Sequence, residues 1–98
     1  MSIFFVESTI QNPKAMSRQL LEEHKQYTQA VMEQGHYLFS SLKTDHSGGA
    51  FMIKAPSQEW LEEYLAKEPF YLAGVQTYRI QPLEVHWNNP QANGWFKD

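Results

Sequence analysis

Two titratable residues stand where aliphatic ones would ordinarily sit. On a wheel of about 100° per residue, residues 16–32 gather Met16, Leu20, Leu21, Tyr27, Val31 and Met32 into one apolar stripe, and His24 falls in its middle. Glu22, Lys25, Gln26 and Glu33 take the opposite side. A second helical stretch repeats the pattern: Trp60, Leu61, Tyr64 and Leu65 form its stripe, and Glu68 falls among them if the helix reaches that far. A lone charge turned into an apolar layer is pushed toward its neutral form, so an inward carboxylate needs a partner. An inward imidazole from the neighbouring helix would supply one. Such a pair supports acid–base chemistry, with His24 as general base or acid and Glu68 orienting the ring and stabilising the imidazolium. The competing reading is a satisfied polar pair that only stitches two helices together. Two departures in one layer put the readings level, because local rules fail most often at functional sites.

The other residues with chemical potential carry weaker signals. His36, His46 and His86 form no i, i+4 pair and no His-Glu-x-x-His motif, so no metal site and no cofactor is expected. His36 follows a helix stop and His46 sits in a turn, and both are expected to face solvent. Ser40 and Ser41 are adjacent on a strand and point to opposite faces, with no nucleophile elbow around either. Gly48-Gly49 has no Lys-Ser/Thr after it and reads as hairpin chemistry rather than a phosphate loop. Tyr27, Trp60, Tyr64 and Phe70 read first as core. Those beside His24 would still wall a pocket with aromatic rings, and Tyr27, Ser41 and Phe70 are the candidate substrate-binding residues.

Elements that place these side chains follow from the apolar pattern. Residues 3–8 read as a strand, punctuated by Asn12-Pro13. Residues 15–34 read as a helix, with Gly35 as its stop. Residues 37–42 and 50–54 read as a hairpin joined by the Thr44–Gly49 turn. Ser57 is a credible N-cap for a second helix. That helix must end by about Glu68, because Pro69 disfavours helical geometry before it. Residues 75–85 make a long last strand in which Pro82 marks an edge or a bulge. The order β-α-β-β-α-β is a ferredoxin-like α+β arrangement with a four-stranded antiparallel sheet. Residues 1–86 form this domain, and residues 87–98 form an aromatic tail carrying Trp87, Trp95 and Phe96.

Composition removes several classes of partner. The 98 residues hold eight Lys+Arg, eleven Asp+Glu and no cysteine, for a formal charge of −3. There is no disulfide framework and no thiolate for catalysis or metal binding. The basic residues are dispersed, so the positive stripe that nucleic-acid binding needs is missing. The apolar start Ile3–Val6 is closed by Glu7 and lacks a basic flank, which argues against a signal peptide or a membrane span. A cytoplasmic domain is the expectation.

Three strands lack clean alternation of apolar and polar residues, which implies that both faces of the sheet are covered. Two helices cover one face. A second copy of the chain is the expected cover for the other, as a two-fold homodimer. The alternative is that the aromatic tail folds back over its own sheet.

With these residues in view, the sequence resembles the YciI-like (YCII-related) family. The matching stretches are Glu23-His24 with Tyr27, Glu33-Gln34-Gly35, Gly48-Gly49-Ala50-Phe51, Lys67-Glu68-Pro69-Phe70 with Ala73-Gly74-Val75, and Tyr78-Arg79-Ile80-Gln81-Pro82. The resemblance implies a ferredoxin-like domain that forms dimeric α/β barrels. It also implies a helix-1 histidine paired with an aspartate in an Asp-Pro-Phe/Tyr motif as active-site residues. His24 matches the first position, and Glu68 replaces the aspartate with a side chain one methylene longer. Ser41-Leu42 stands where the family tends to have Gly-Pro. Among characterised members the clearest reaction is a ring dehydrochlorination. The expected function is binding of a small, cyclic or aromatic metabolite, with cofactor-free isomerase or lyase chemistry at His24 and Glu68. The rival is a non-catalytic ligand-binding or interaction domain, and cofactor-free oxygenation is a third reading.

Overall fold

The computed structural model describes residues 1–97. Four strands form one antiparallel sheet in the order β2-β3-β1-β4: β1 is Ser2–Ile10, β2 Tyr37–Leu42, β3 Gly49–Ala55 and β4 Gln76–Leu83. Helices α1 (Arg18–Glu33) and α2 (Gln58–Ala66) pack on one face, followed by a single turn, α3 (Pro69–Leu72). The ferredoxin-like α+β order is therefore present. Pro82 lies on β4, an edge strand, where its missing N–H costs no ladder bond on the outer side.

Helix boundaries follow local chemistry. Pro13–Ala15 form a 3-10 turn, so α1 begins later than its apolar pattern, at the Ser17 cap whose hydroxyl accepts from the Leu20 N–H at 3.1 Å. Gly35 ends it with φ at +86°. Ser57 caps α2 through the Trp60 N–H, also at 3.1 Å. α2 stops at Ala66, and Glu68 is not on it. Pro69 forces Glu68 into extended geometry (φ −69°, ψ 132°), so Glu68 becomes the N-cap of α3 instead of a stripe residue of α2. The inward placement expected from the wheel is kept, but for a capping reason.

Alternation sorts the sheet. Phe4 and Val6 of β1, Phe51, Ile53 and Ala55 of β3, and Tyr37 of β2 join Leu61, Tyr64 and Leu65 in the buried core beneath the helices. α1 contributes no fully buried residue. It stands off the sheet, with Leu21 and Met32 exposed along its length. The opposite sheet face carries Phe5, Met52 and Phe39, the last 42% exposed. The tail docks on its own chain at one end of that face: the Trp95 indole N–H donates to the Gly35 carbonyl at 3.0 Å. Lys54 Nζ donates to the Trp95 carbonyl at 2.5 Å and sits 5.1 Å over its ring. Trp87 stays 86% exposed. His36 departs from its solvent-facing expectation, being half-buried, stacked on Trp60, and donating through Nδ1 to the Lys54 carbonyl at 2.8 Å.

Candidate active site

Glu68 is fully buried, at 0% exposure, and four donors surround its carboxylate. Oε2 accepts from His24 Nδ1 and from the Phe70 backbone N–H, both at 2.8 Å. Oε1 accepts from the Tyr78 hydroxyl at 2.5 Å and from Gln76 Nε2 at 3.1 Å. The cap geometry of α3 supplies the backbone donor, α1 supplies the imidazole, and β4 supplies the other two at positions i and i+2 on its helix-facing side. Burial by itself raises the carboxyl pKa. The hydrogen bonds from His24, Tyr78 and the Phe70 N–H outweigh it and hold Glu68 below the ordinary carboxylate value. Glu68 is an ionised acceptor with its lone pairs engaged.

That saturation fixes the histidine. An acceptor-only carboxylate at Nδ1 requires the proton on Nδ1, which leaves Nε2 with a free lone pair in the neutral ring. The ring is also held flat on Phe70, with centroids 4.0 Å apart and 7° between planes. Its side chain is 24% exposed, so it meets both the carboxylate and the cavity beside it.

The space between the raised α1 and the sheet is a cavity of about 390 Å³. Met16, Leu21, Met32, Phe51 and Phe70 make much of its wall apolar. His24, Ser40, Ser41, Gln76 and Tyr78 bring polar atoms to it. The volume suits a compact ligand of one or two rings. Phe70 lines the cavity as expected. Ser41 lines it as well, with its hydroxyl donating to the Ala50 carbonyl at 2.7 Å. Tyr27 does not line it. Its hydroxyl donates to the Tyr64 carbonyl at 2.6 Å and its ring stacks on Tyr64, so it joins α1 to α2. The expected ligand contact at Tyr27 gives way to a structural one, because Tyr64 takes both its ring and its hydroxyl. His46, exposed in its turn, reaches the cavity mouth.

Sequence reasoning overlooked Gln76 and Tyr78. A signal existed: two hydrogen-bonding side chains two apart on the helix-facing side of a strand break the apolar rule as His24 does. Burial, then the neighbouring Glu68 charge, raises the Tyr78 pKa, so this phenol remains a donor. Among the described residues no group of three His, Cys, Asp or Glu side chains is placed to hold a metal ion.

Fold and cavity together define the class: a ferredoxin-like α+β domain with a histidine–carboxylate pair beside an apolar cavity. The chain belongs to the YCII-related domain family, whose model matches residues 2–84. Two similar solved structures share the fold. Muconolactone isomerase superposes with a TM-score of 0.74 and 21% identity, over 90% of this chain and 94% of that one. The 5-chloro-2-hydroxyhydroquinone dehydrochlorinase of Burkholderia phenoliruptrix, in complex with 2,5-dihydroxybenzoquinone, gives 0.68 and 14%, over 91% and 96%. No curated protein sequence matches the chain.

Proposed function

We propose that this protein is a cytoplasmic homodimer that binds a compact cyclic metabolite in the cavity and transfers a proton through His24, as a cofactor-independent isomerase or lyase. The observation that carries the reading is the 2.8 Å contact between His24 Nδ1 and the buried Glu68 carboxylate. Nδ1 is held by a saturated, ionised carboxylate, and Nε2 is the ring nitrogen left to accept a proton. In the proposed step a C–H bond next to a ligand carbonyl breaks. The proton goes to Nε2 and the electron pair moves onto the carbonyl oxygen. Returning the proton to a different carbon gives isomerisation, and collapse of the enolate with loss of an anionic leaving group gives elimination. Glu68 keeps its own proton affinity low and stabilises the imidazolium formed in between. The isomerase and dehydrochlorinase activities named for the two structural neighbours are of these two types, which supports the reading.

The rival reading, a purely structural pair in a binding domain, draws on the same geometry, since Glu68 ties α1, α3 and β4 together. One experiment separates them. Cyclic ketones, lactones and substituted phenols are screened by thermal shift, and hits are followed for turnover by wild type and His24→Asn. Asparagine can still donate to Glu68 but cannot serve as a base. Turnover should fall by at least about 100-fold while the unfolding midpoint and the cavity's affinity change little. Unchanged turnover, or a variant that is mainly destabilised, favours the structural pair.

A further inference from the structure

Tyr37 of β2 and Tyr64 of α2 both line the cavity and are both buried. Their hydroxyl oxygens lie 2.9 Å apart, and neither hydroxyl has another hydrogen-bond partner among the described residues. Two hydroxyls bring two protons, and one contact between them uses one. The neighbouring phenols do not absorb the second: Tyr27 donates to the Tyr64 backbone carbonyl, and Tyr78 donates to Glu68. A buried O–H without an acceptor is unfavourable until one arrives.

We infer that the Tyr37–Tyr64 pair is a hydrogen-bond donor to a carbonyl or oxyanion oxygen of the ligand, completing the site in which His24 handles the proton. This rests on the reading of the cavity as a site for a compact ring ligand. As the C–H electron pair moves onto the carbonyl oxygen, the growing negative charge meets an O–H already in place, polarised by the second phenol behind it. Burial pushes both phenols above their ordinary pKa, so the pair stays protonated through neutral pH. Glu68 does not compete for the ligand's hydrogen bonds, since its oxygens are already engaged. The pair therefore selects for oxygen acceptors over ring ligands that lack them.

The probes are 4-nitrophenol, studied at a pH above the ordinary histidine range where it is ionised, and nitrobenzene, the same ring without the oxyanion. Wild type should bind the phenolate at least about ten-fold more tightly than nitrobenzene, the size of one hydrogen bond to a charged group. The double variant Tyr37→Phe/Tyr64→Phe should lose that preference while holding nitrobenzene with unchanged affinity. Should the double variant not fold, the single variants decide, because the one whose hydroxyl faces the ligand loses most of the preference alone. A preference that survives in both single variants, or in the double, overturns the inference and leaves the cavity reading intact. Failure of wild type to bind either probe overturns both.

Discussion

At residue scale, Glu68 combines full burial with a complete set of donors. It accepts a backbone, an imidazole, an amide and a phenol donor at once, two on each oxygen, and neutralising the carboxylate would put a donor in front of the two that face one of its oxygens. Its extra methylene relative to the family's aspartate does not prevent the contact with His24, which closes at 2.8 Å. Glu68→Gln should therefore cost about 3 kcal/mol near neutral pH, the scale for breaking one side of a buried pair. The pH dependence has a definite sign. The folded-state pKa lies below the ordinary carboxylate value. The stabilisation from ionised Glu68 is thus complete above that value and is lost as pH falls through the lower, folded-state pKa. Urea unfolding of wild type and Glu68→Gln should show the widest gap near neutrality and a narrowing gap on acidification. A gap that does not change with pH contradicts the ionised assignment.

At the scale of elements, the β2–β3 hairpin and the end of α1 each depend on a glycine, for different reasons. Gly48 has φ at +155°, and a Cβ there would sit 2.0 Å from the Ser8 carbonyl oxygen. The hairpin is laid directly against β1, with the Ile10 N–H bonded to the Ser47 carbonyl and the Gly49 N–H to the Ser8 hydroxyl, both at 2.8 Å. Gly48→Ala must push backbone away from backbone, and should cost at least about 2 kcal/mol. Gly35 has φ at +86° with open space around it, so Gly35→Ala should cost only the left-handed strain, about 1 kcal/mol. Chemical denaturation of the two variants checks the ranking. The hairpin also closes the cavity at Ser41, His46 and Gly48, so Gly48→Ala should weaken ligand binding as well.

At the scale of the molecule, the sheet has one face under the helices and one on which the tail docks near Gly35 and Lys54, with Phe96 close to Ile3 and Leu83. Phe39 and Met52 oppose each other across β2 and β3 on that second face. On the proposed homodimer, this is where a second copy packs, burying the exposed Phe39 ring against its two-fold mate. Phe39→Glu should convert a dimer into a monomer of unchanged secondary structure, read by sedimentation velocity at micromolar concentration. A wild-type monomer under those conditions removes the proposal, and the tail is then the main cover of the sheet.

Much of this architecture is legible in the chain itself. Apolar periodicity, Ser57, Gly35 and Pro69 are local signals, and they sufficed for the βαββαβ order and for His24 on the inner face of α1. The inward turn of Glu68 was foreseen from the wrong cause. A helical wheel extends the helix, whereas Pro69 ends it and makes Glu68 a cap, and the two geometries happen to aim the carboxylate the same way. What remained hidden was long-range. Gln76 and Tyr78 reach Glu68 only because β4 lies at the sheet edge beside β1, a pairing no local pattern encodes. The docking of the tail on Gly35 and the sharing of Tyr64 by Tyr27 and Tyr37 are likewise encounters between distant segments. Chain-local chemistry determined which elements form and which side they turn inward. Only tertiary packing decided how far α1 stands from the sheet, and so whether the inward polar groups border a closed core or a cavity that admits a ligand.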